Sequence, residues 1–476
     1  MRRTKIIATL GPATDRPGVL AELIATGVDV VRINCSHGTW EDRGRQIRQL
    51  REVSSHAGKH VAIIGDLQGP KIRINRFRQG PVTLREGCSF VLDTAMDPQA
   101  GTAEAVGVAY ERLPQDVTRG DSLLLDDGQI VLSVERVDGT RVICTIVVGG
   151  ELSDNKGINR QGGGLSAPAL TAKDKEDIRH AAEAGVDWLA VSFVRSAEDM
   201  HEARELLQHA SGTAHLISKI ERAEAIANLE GIIDASDAVM VARGDLGVEM
   251  GYAGLTGLQK KILRLTRARH KVAITATQMM ESMIHHRMPT RAEVSDVANA
   301  VMDGTDAVML SAETAVGEYP VQAVAVMSEV CVGAETYQFS TGRPRDRGDD
   351  QFEGVDEAIA MAVMYTANHL RPQAIATLTE SGSTSLWMSR VRTDIPIFAF
   401  TRHEATRRRV QLYRGVYPVP YDITHSDPAL VNQELIAVLR SMGHVEEGDL
   451  VILTKGDFTG VSGGTNSMKI LRVSGQ

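Results

Sequence analysis

Two short apolar runs, Leu216–Ile220 and Ala238–Val241, carry the charged side chains best placed to do chemistry. Lys219 and Glu221 stand at the end of the first run, and Asp245 follows the second. An apolar run rich in β-branched residues with a helical pattern behind it predicts a parallel strand that leads into a helix. Because parallel strands of a barrel converge at their carboxyl ends, the two carboxylates are expected to hold a hard cation beside a lysine that meets an anion.

Glu221 and Asp245 are predicted to bind Mg²⁺, which takes one or two carboxylates together with substrate oxygens and water. The alternative is that both form surface salt bridges with Arg222 and Arg243, which would contribute little energy. Gly244 begins a glycine-containing turn whose backbone N–H groups could meet a carboxylate or phosphate at a helix start.

Polar side chains also follow the other apolar runs. They are Arg32, Asn34, Asp66, Ser192, Thr277, Ser311 and Glu313. Arg32 is predicted to assist Lys219 in neutralising a transferred phosphoryl group, because positioning and electrostatics supply most of the catalysis in such reactions. Thr277 is predicted either to orient a proton-relay water or to cap the next helix. Three further carboxylates are expected to be helix caps or solvated positions: Asp296, Asp303 and Asp306.

The elements that position these residues repeat one pattern, an apolar run followed by a helical segment. It occurs eight times from Lys5 onward, and Thr171 and Thr290 each open a helix with a capping box. Eight such units close a (β/α)8 TIM barrel, and a doubly wound sheet is the main alternative. The predicted fold class is therefore α/β.

The predicted domains are a catalytic barrel over residues 1–70 and 168–340, and a β-barrel-like lid domain inserted at residues 71–167. The lid prediction depends on alternating polarity and turn signals, with Gly162–Gly164 and Pro168 as the hinge back to the barrel. Residues 341–353 are polar and irregular, which is typical of a linker. Residues 354–476 are predicted to form a C-terminal α/β domain.

Composition limits the class of protein. The 476 residues are 43% hydrophobic and carry a net charge of −9, which argues against general nucleic-acid binding. The four cysteines lack metal-ligand spacing and indicate reduced thiols; Cys35 has no evident partner base. The N-terminal apolar run is too short for a secretion signal, and no stretch could span a bilayer. We expect a cytoplasmic protein that binds neither nucleic acid nor a membrane.

Nine stretches, in this order, closely resemble the pyruvate kinase family. They are Thr4–Pro12, Val31–Gly38, Gly65–Arg73, Lys156–Asn159, Ser218–Glu224, Val239–Gly247, Ala273–Met283, Pro289–Val301 and Gly304–Glu313. The match is most similar to the bacterial subgroup with the sequence GDLQGPKIR at Gly65–Arg73. The resemblance implies a Mg²⁺-dependent kinase of glycolysis, with Mn²⁺ as a substitute, that transfers the phosphoryl group of phosphoenolpyruvate to ADP and yields ATP and pyruvate.

The resemblance also implies residue roles. Arg32 and Lys219 would contact the phosphoryl group, whereas Gly244, Asp245 and Thr277 would hold the enolate and carboxylate. The implied metal ligands are Glu221 and Asp245 for Mg²⁺. Nucleotide binding is implied for Arg73, Lys156, Asn34 and His37, with Asp127 on the lid as a further active-site candidate.

One departure from the family pattern concerns potassium. The implied K⁺ ligands are Asn34, Ser36, Asp66 and the carbonyl of Leu67, but Lys71 stands where many members carry Glu. Because an ammonium and K⁺ are both compact monovalent cations, Lys71 is predicted to replace the ion and to make activity largely independent of K⁺.

The final domain resembles the family's effector-binding domain. The implied phosphate loop supplies Thr379, Ser381, Ser383 and Thr384, whose hydroxyls could cradle a phosphate. Glu380 stands where members that respond to fructose 1,6-bisphosphate often have a basic residue, and a carboxylate would repel a second phosphate. The predicted effector is therefore a monophosphate, such as a sugar phosphate or AMP.

Two other functions compete with the kinase. A barrel lyase or aldolase acting on a pyruvate enolate would share the metal and enolate ligands without needing Arg73, Lys156 or the lid. A catalytically silent sensor would use only the final domain. The resemblance further suggests a homotetramer with two-fold interfaces, for which Pro289–Val301 and the last domain are contact candidates.

Overall fold

The barrel predicted from the repeated pattern is present. The computed structural model describes residues 1–341, 352, 354–425, 427, 430–457 and 463–474. Its eight barrel strands, in chain order, are Lys5–Thr9, Val30–Asn34, Ala62–Asp66, Trp188–Val191, His215–Ile220, Ala238–Ala242, Val272–Ala276 and Ala307–Leu310. They form a closed barrel in which the first and eighth strands pair in parallel, and this excludes the doubly wound alternative.

Helices follow the barrel strands as the pattern predicts. The α-helices of this part are Val19–Thr26, Trp40–His56, Ala172–Glu183, Ala197–His209, Ala223–Ala227, Leu229–Ala235, Arg243–Met250, Tyr252–Ala268, Arg291–Asp303, Ala312–Ala315 and Pro320–Thr341, with a 3-10 helix at Glu281–Ile284. Both predicted capping boxes form: Thr171 exchanges hydrogen bonds with Asp174, and Thr290 does so with Glu293. Each box satisfies backbone N–H groups at a helix start.

The inserted segment is a separate set of mixed sheets. Its strands are Val82–Leu84, Ser89–Asp93, Ala105–Gly107, Ser122–Leu125, Ile130–Asp138, Arg141–Val148, Gly150–Leu152 and Ile158–Arg160, with a short helix at Leu113–Asp116. Six of these strands form one sheet, and Val82–Leu84 pairs with Gly150–Leu152 in a second. Alternate residues of the strands, such as Leu123 and Leu125, face a shared apolar core.

The C-terminal part is a five-stranded sheet with helices. Its strands, in sheet order, are Val416–Pro420, Ile397–Thr401, Ala374–Leu378, Leu450–Gly456 and Thr465–Arg472. Its α-helices are Val355–Leu370, Ser383–Ser389, Glu404–Arg409 and Val431–Ser441, with 3-10 helices at Val410–Leu412 and Ile423–His425. The last strand is antiparallel and was not anticipated from the sequence. Most of the predicted linker, residues 342–351 and 353, lies outside the described residues.

Contacts group the chain into two compact units. The first comprises Met1–Gly65, Ala184–Trp188 and Thr266–Gln476, and the second comprises Asp66–Glu183 and Leu189–Leu265. The predicted domain boundaries remain a prediction. Across the described residues, no helix is both long and apolar enough to cross a membrane.

Within the first unit, a buried ion pair ties the barrel to the C-terminal domain. Arg390 donates to both carboxylate oxygens of Asp306, with Nη1 lying 2.9 Å from Oδ2, and the two side chains are almost fully buried. The same carboxylate accepts the backbone N–H of Ala273 at 2.8 Å. The expectation that Asp306 is a cap or a solvated position was therefore wrong, because its charge is neutralised at an interdomain contact that local sequence does not reveal.

Candidate active site

Lys219 lies at the centre of a buried polar cluster in the second unit. Its Nζ is 3.2 Å from Asp66 Oδ1, 3.0 Å from Glu221 Oε1 and 2.7 Å from Ser192 Oγ. Ser192 in turn donates to the carbonyl of Leu67 at 2.7 Å. The two carboxylate side chains are 1% and 3% exposed, so the surface salt-bridge alternative for Glu221 was wrong. Two buried carboxylates therefore fix the ammonium at the carboxyl end of a barrel strand, which is the end where barrel enzymes place their chemistry.

Burial raises the pKa of the Glu221 carboxyl, and the negative charge of Asp245 raises it further, while the Lys219 ammonium acts in the opposite direction. Glu221 also accepts the backbone N–H of Phe193 at 2.7 Å. Phe193 has a φ of 55°, which is costly for a bulky residue. The strained backbone of Phe193 therefore donates a hydrogen bond to the Glu221 carboxylate, whose charged form is disfavoured by burial.

Asp245 is in the first turn of the helix Arg243–Met250, so the predicted glycine turn containing Gly244 is the helix start. Asp245 Oδ1 lies 3.3 Å from Lys71 Nζ, and Lys71 is also 4.0 Å from Asp127 Oδ1. The Asp245 carboxylate is partly exposed, unlike Glu221. Lys71 therefore contacts one predicted Mg²⁺ ligand from the start of the inserted segment.

The inserted segment brings more predicted residues into this unit. Lys156 Nζ pairs with Asp126 Oδ1 at 2.7 Å, and Arg73 Nη1 donates to the carbonyl of Asn155 at 2.8 Å. Asp126 and Asp127 have φ values of 51° and 54° in a turn between two strands of the inserted segment. Asp126 was not predicted from the sequence, although its neighbour Asp127 was.

Glu249 is a second carboxylate that sequence reasoning missed. It accepts the backbone N–H of Ala223 at 2.9 Å, and Asn159 Nδ2 lies 3.4 Å from its Oε1. Burial raises the pKa of the Glu249 carboxyl to about 7. The carbonyl of Glu249 also accepts the N–H of Gly162 at 3.0 Å, and Glu224 accepts the N–H of Gly164. The glycines of the predicted hinge are thus hydrogen-bonded to Glu224, which follows Glu221 in the chain, and to Glu249, which follows Asp245.

Arg32 and Thr277 belong to the first unit. Arg32 lies on the second barrel strand, and its Nη1 is 3.3 Å from Thr9 Oγ1. Thr277 follows the seventh strand with a φ of 67°, and its hydroxyl donates to the Ala276 carbonyl at 2.6 Å. The alternative that Thr277 caps the next helix was wrong, because Met280 occupies that position. A β-branched residue at positive φ indicates a conformation that the surrounding fold imposes.

The loop after the second strand holds the remaining predicted ligands of the first unit. Asn34 Oδ1 accepts the N–H of Ser36 at 3.0 Å, and His37 is exposed. Arg43 Nη2 donates to the carbonyls of Cys35 and His37 at 2.8 Å each. Arg43 was not predicted, but an arginine one helical turn into the following helix is the signal that could have suggested it. Cys35 is buried, in agreement with an unreactive thiol.

Ser311 and Glu313 follow the eighth strand. Glu313 is buried and accepts the N–H groups of Met280 at 3.2 Å and Ser311 at 2.6 Å. Burial raises the pKa of the Glu313 carboxyl. These bonds fix the loop beyond Thr277, so Glu313 supports that loop rather than presenting a free ligand.

Three of the four predicted effector residues line a cavity in the C-terminal domain. Thr379, Ser383 and Thr384 line it, and Ser381 Oγ lies 3.3 Å from Ser383 Oγ. Glu380 also lines the cavity. Its Oε2 contacts His403 and lies 3.6 Å from an Arg402 guanidinium nitrogen.

Comparison with known proteins identifies the class and then the family. Residues 1–324 match the family described as pyruvate kinase, barrel domain, and residues 357–471 match pyruvate kinase, alpha/beta domain. The chain is accordingly a barrel enzyme of the phosphotransferase class. It belongs to the pyruvate kinase family.

Relatives match along nearly the whole chain. It is 53% identical to "Pyruvate kinase II" of Salmonella typhimurium over 477 residues, which cover 99% of each protein. It is 52% identical over 460 residues to "Pyruvate kinase" of Haemophilus influenzae, with 96% of each covered. Identity to "Pyruvate kinase" of Geobacillus stearothermophilus is 40% over 476 residues, which cover 99% of this chain and 81% of the relative.

Proposed function

We propose that the protein transfers the phosphoryl group of phosphoenolpyruvate to ADP, giving ATP and pyruvate in the last step of glycolysis. The observation that carries this proposal is the buried cluster in which Lys219 lies against Asp66 and Glu221. Preorganised charge at a water-poor site is the main source of catalysis in phosphoryl transfer. Membership of the family, and the names of its relatives, support the same reaction.

The residue roles follow the family resemblance. Lys219 and Arg32 contact the transferred phosphoryl group, and Lys219 also stabilises the enolate. Gly244, Asp245 and Thr277 hold the enolate and its carboxylate, and Thr277 assists protonation at carbon. The strained backbone of Thr277 supports a functional role, because strain of about 1–3 kcal/mol persists where the surrounding structure holds it.

Glu221 and Asp245 are the proposed Mg²⁺ ligands, and their donor set fits a hard cation. Both offer carboxylate oxygens. Burial raises the pKa of the Glu221 carboxyl, the Lys219 ammonium lowers it, and the negative charge of Asp245 raises it again. A cation between them relieves that repulsion. Once bound, Mg²⁺, or Mn²⁺ in its place, supplies electrophilic stabilisation of substrate oxygens.

The nucleotide is proposed to bind through Arg73 and Lys156 on the inserted segment, with Asn34 and His37 as further contacts. Lys156 is paired with Asp126 in this structure, so a phosphate must compete with that carboxylate. We propose that the exposed turn at Asp127 is the part of the lid that contributes to the active site. Together these side chains distinguish a kinase from an enolate-forming lyase, which needs no nucleotide.

K⁺ is proposed to be dispensable. Asn34, Ser36, Asp66 and the Leu67 carbonyl are the family's K⁺ ligands by resemblance. Lys71 lies 3.3 Å from Asp245, and this contact supports a fixed ammonium in the neighbourhood of the metal ligands. Because the ammonium is covalently attached, its positive charge does not depend on the salt in solution.

The effector is proposed to be a monophosphate, a sugar phosphate or AMP, bound in the cavity lined by Thr379, Ser383 and Thr384. The Glu380 carboxylate lines this cavity and adds negative charge to its wall. That charge favours a ligand with one phosphate group over a ligand with two. The Arg402 guanidinium, 3.6 Å from Glu380, offsets part of that charge.

The proposed assembly is a homotetramer in the cytoplasm. Its contact candidates are the helix Arg291–Asp303, which corresponds to the predicted Pro289–Val301 segment, and the C-terminal domain.

A coupled assay tests the proposed reaction. Purified protein is given phosphoenolpyruvate and ADP, and ATP and pyruvate are measured with Mg²⁺ and after its removal by a chelator. The proposal requires equal amounts of both products and their loss without the metal. Pyruvate formed without ATP would favour a lyase or aldolase, and no turnover would favour a silent sensor.

A further inference from the structure

Glu249 is a buried carboxylate to which the proposed reaction assigns no role. It lies in the helix Arg243–Met250, four residues after Asp245, so the two carboxylates belong to the same side of that helix. Glu249 is 5% exposed, and burial raises the pKa of its carboxyl to about 7. A buried carboxylate costs stability unless hydrogen bonds compensate it. The hydrogen bonds of Glu249 therefore indicate which parts of the molecule it connects.

The first hydrogen bond joins Glu249 to the strand end that carries Glu221. Glu249 Oε2 accepts the backbone N–H of Ala223 at 2.9 Å, and Ala223 begins the helix Ala223–Ala227 two residues after Glu221. Because Asp245 is on the same helix as Glu249, this bond links the two chain segments that carry the proposed Mg²⁺ ligands. Functional side chains need their geometry held to within about 0.5 Å, which requires supporting contacts of this kind.

The other hydrogen bonds of Glu249 reach the inserted segment. Asn159 Nδ2 lies 3.4 Å from Glu249 Oε1, and the backbone carbonyl of Glu249 accepts the N–H of Gly162 at 3.0 Å. Asn159 is buried in the strand Ile158–Arg160, three residues after Lys156, which is a proposed nucleotide contact. Glu249 therefore also binds the stretch of chain that presents Lys156.

The inserted segment has further anchors at this place. The N–H of Gly164 donates to the Glu224 carboxylate, and Arg222 Nη1 donates to the carbonyl of Leu165 at 3.1 Å. These bonds do not involve Glu249. Removal of the Glu249 carboxylate should therefore shift the residues that it holds without detaching the inserted segment.

We propose that Glu249 is a positioning residue that holds the Mg²⁺ ligands and the nucleotide-binding strand in one arrangement. The role rests on the proposed kinase reaction, because that reaction requires a metal and a nucleotide at one site. Glu249 acts through Ala223 and Asn159 rather than by contact with the reacting atoms. Groups that orient metal ligands in this way typically contribute about 10–100-fold to metal affinity or activity.

Mn²⁺ binding, followed by paramagnetic resonance at pH 8, tests the contact with the metal ligands. Glu249→Met removes both side-chain hydrogen bonds, since a thioether is a poor acceptor, and it should weaken Mn²⁺ binding about tenfold or more. Glu249→Gln keeps an oxygen for the Ala223 N–H. It should bind Mn²⁺ within about threefold of wild type, because the bond to the Glu221 strand end is retained.

Steady-state kinetics test the contact with the inserted segment. Asn159→Ala removes only that contact, so it should raise the KM for ADP about fivefold while kcat and Mn²⁺ affinity stay near the wild-type values. Glu249→Met should raise the KM for ADP as well as weaken Mn²⁺ binding. Glu205→Met, at an exposed position of the helix Ala197–His209, is the matched control and should behave as wild type. A general loss of stability would not separate the two effects in this way.

Three results would overturn the positioning role. They are wild-type Mn²⁺ affinity in a folded Glu249→Met protein, an unchanged KM for ADP in Asn159→Ala, and a loss of Mn²⁺ affinity in Glu249→Gln as large as in Glu249→Met, which would assign the effect to charge alone. Failure of the proposed reaction is a separate outcome. In that case the wild-type protein forms no ATP, whereas the Mn²⁺ affinities of the variants can still be compared.

Discussion

Replacing Glu249 by Gln should make the stability of the protein less sensitive to pH. Glu249 is 5% exposed and accepts an N–H from Ala223, which follows the Glu221 strand end. Burial raises the pKa of its carboxyl from 4.5 to about 7. Gln keeps an oxygen for the Ala223 N–H and has nearly the same volume, so the substitution chiefly removes the ionisation.

The sign and size of the effect follow from linkage between ionisation and folding. The folded protein binds the Glu249 proton more tightly than the unfolded chain does. Below pH 4.5 both states keep the proton, so Glu249 does not lower the free energy of unfolding there. Between pH 4.5 and about 7 only the unfolded chain ionises, so the free energy of unfolding falls as the pH rises. Above that range both states are ionised and the loss reaches its full size. The difference corresponds to about 3 kcal/mol. Loss of the Asn159 contact would offset roughly 1 kcal/mol of the gain in Glu249→Gln.

Chemical denaturation of both proteins at pH 5, 6.5 and 8, each within about 0.1 of its nominal value, checks this reasoning. The stability of Glu249→Gln relative to wild type should rise steadily with pH and be greatest at pH 8. Glu151→Gln, at an exposed position of the inserted segment, is the control for the loss of one carboxylate. A relative stability that is flat or falls with pH would refute the assignment of a buried, proton-retaining Glu249.

Three further outcomes are expected. Wild-type turnover should survive replacement of K⁺ by a bulky organic cation, whereas Lys71→Met should become K⁺-dependent; a collapse of the wild-type rate would contradict the role of Lys71. The double variant Ser381→Ala and Thr384→Ala should need about tenfold more monophosphate for half-maximal activation, and unchanged activation would rule out this loop. Asp306→Asn should lower the free energy of unfolding by about 3–5 kcal/mol, because it leaves Arg390 buried without its partner. A loss below about 1 kcal/mol would show that the pair is not the interdomain link.

The sequence was most informative about the barrel, because its periodicity is local. The runs Leu216–Ile220 and Ala238–Val241 form the strands His215–Ile220 and Ala238–Ala242, so each predicted end lies within about one residue of the observed one. The same pattern brought Lys219, Glu221 and Asp66 to strand ends, and the structure joins these three within hydrogen-bond distance. The nine matching stretches named the family, which local periodicity alone would not have done.

Features that depend on distant contacts were missed. Asp306 looked like a solvated position because its partner Arg390 is 84 residues away. Glu249 lies near the end of a helix whose local sequence gives no sign of burial. It is buried because it packs against Asn159 and Ala223, which are distant in the chain. The final strand Thr465–Arg472 escaped notice because its exposed edge has a weak apolar pattern.

Backbone strain was also beyond local prediction. The positive φ values of Thr277 and Phe193 arise where a strand end must turn within a packed barrel, and neither residue type signals such a conformation. Arg43 was missed for a related reason, since its role is to bind carbonyls of a loop rather than an opposite charge.

The most direct test of the proposed reaction is the rate of ATP formation by Lys219→Met. Lys219 is the cation that the structure places against Glu221 and Asp66, so its removal should lower the rate by about a thousandfold or more. Folding and Mn²⁺ binding, followed by paramagnetic resonance, should be retained, and Lys175→Met on the barrel surface should behave as wild type. A Lys219→Met protein that folds and forms ATP within about tenfold of the wild-type rate would contradict the account.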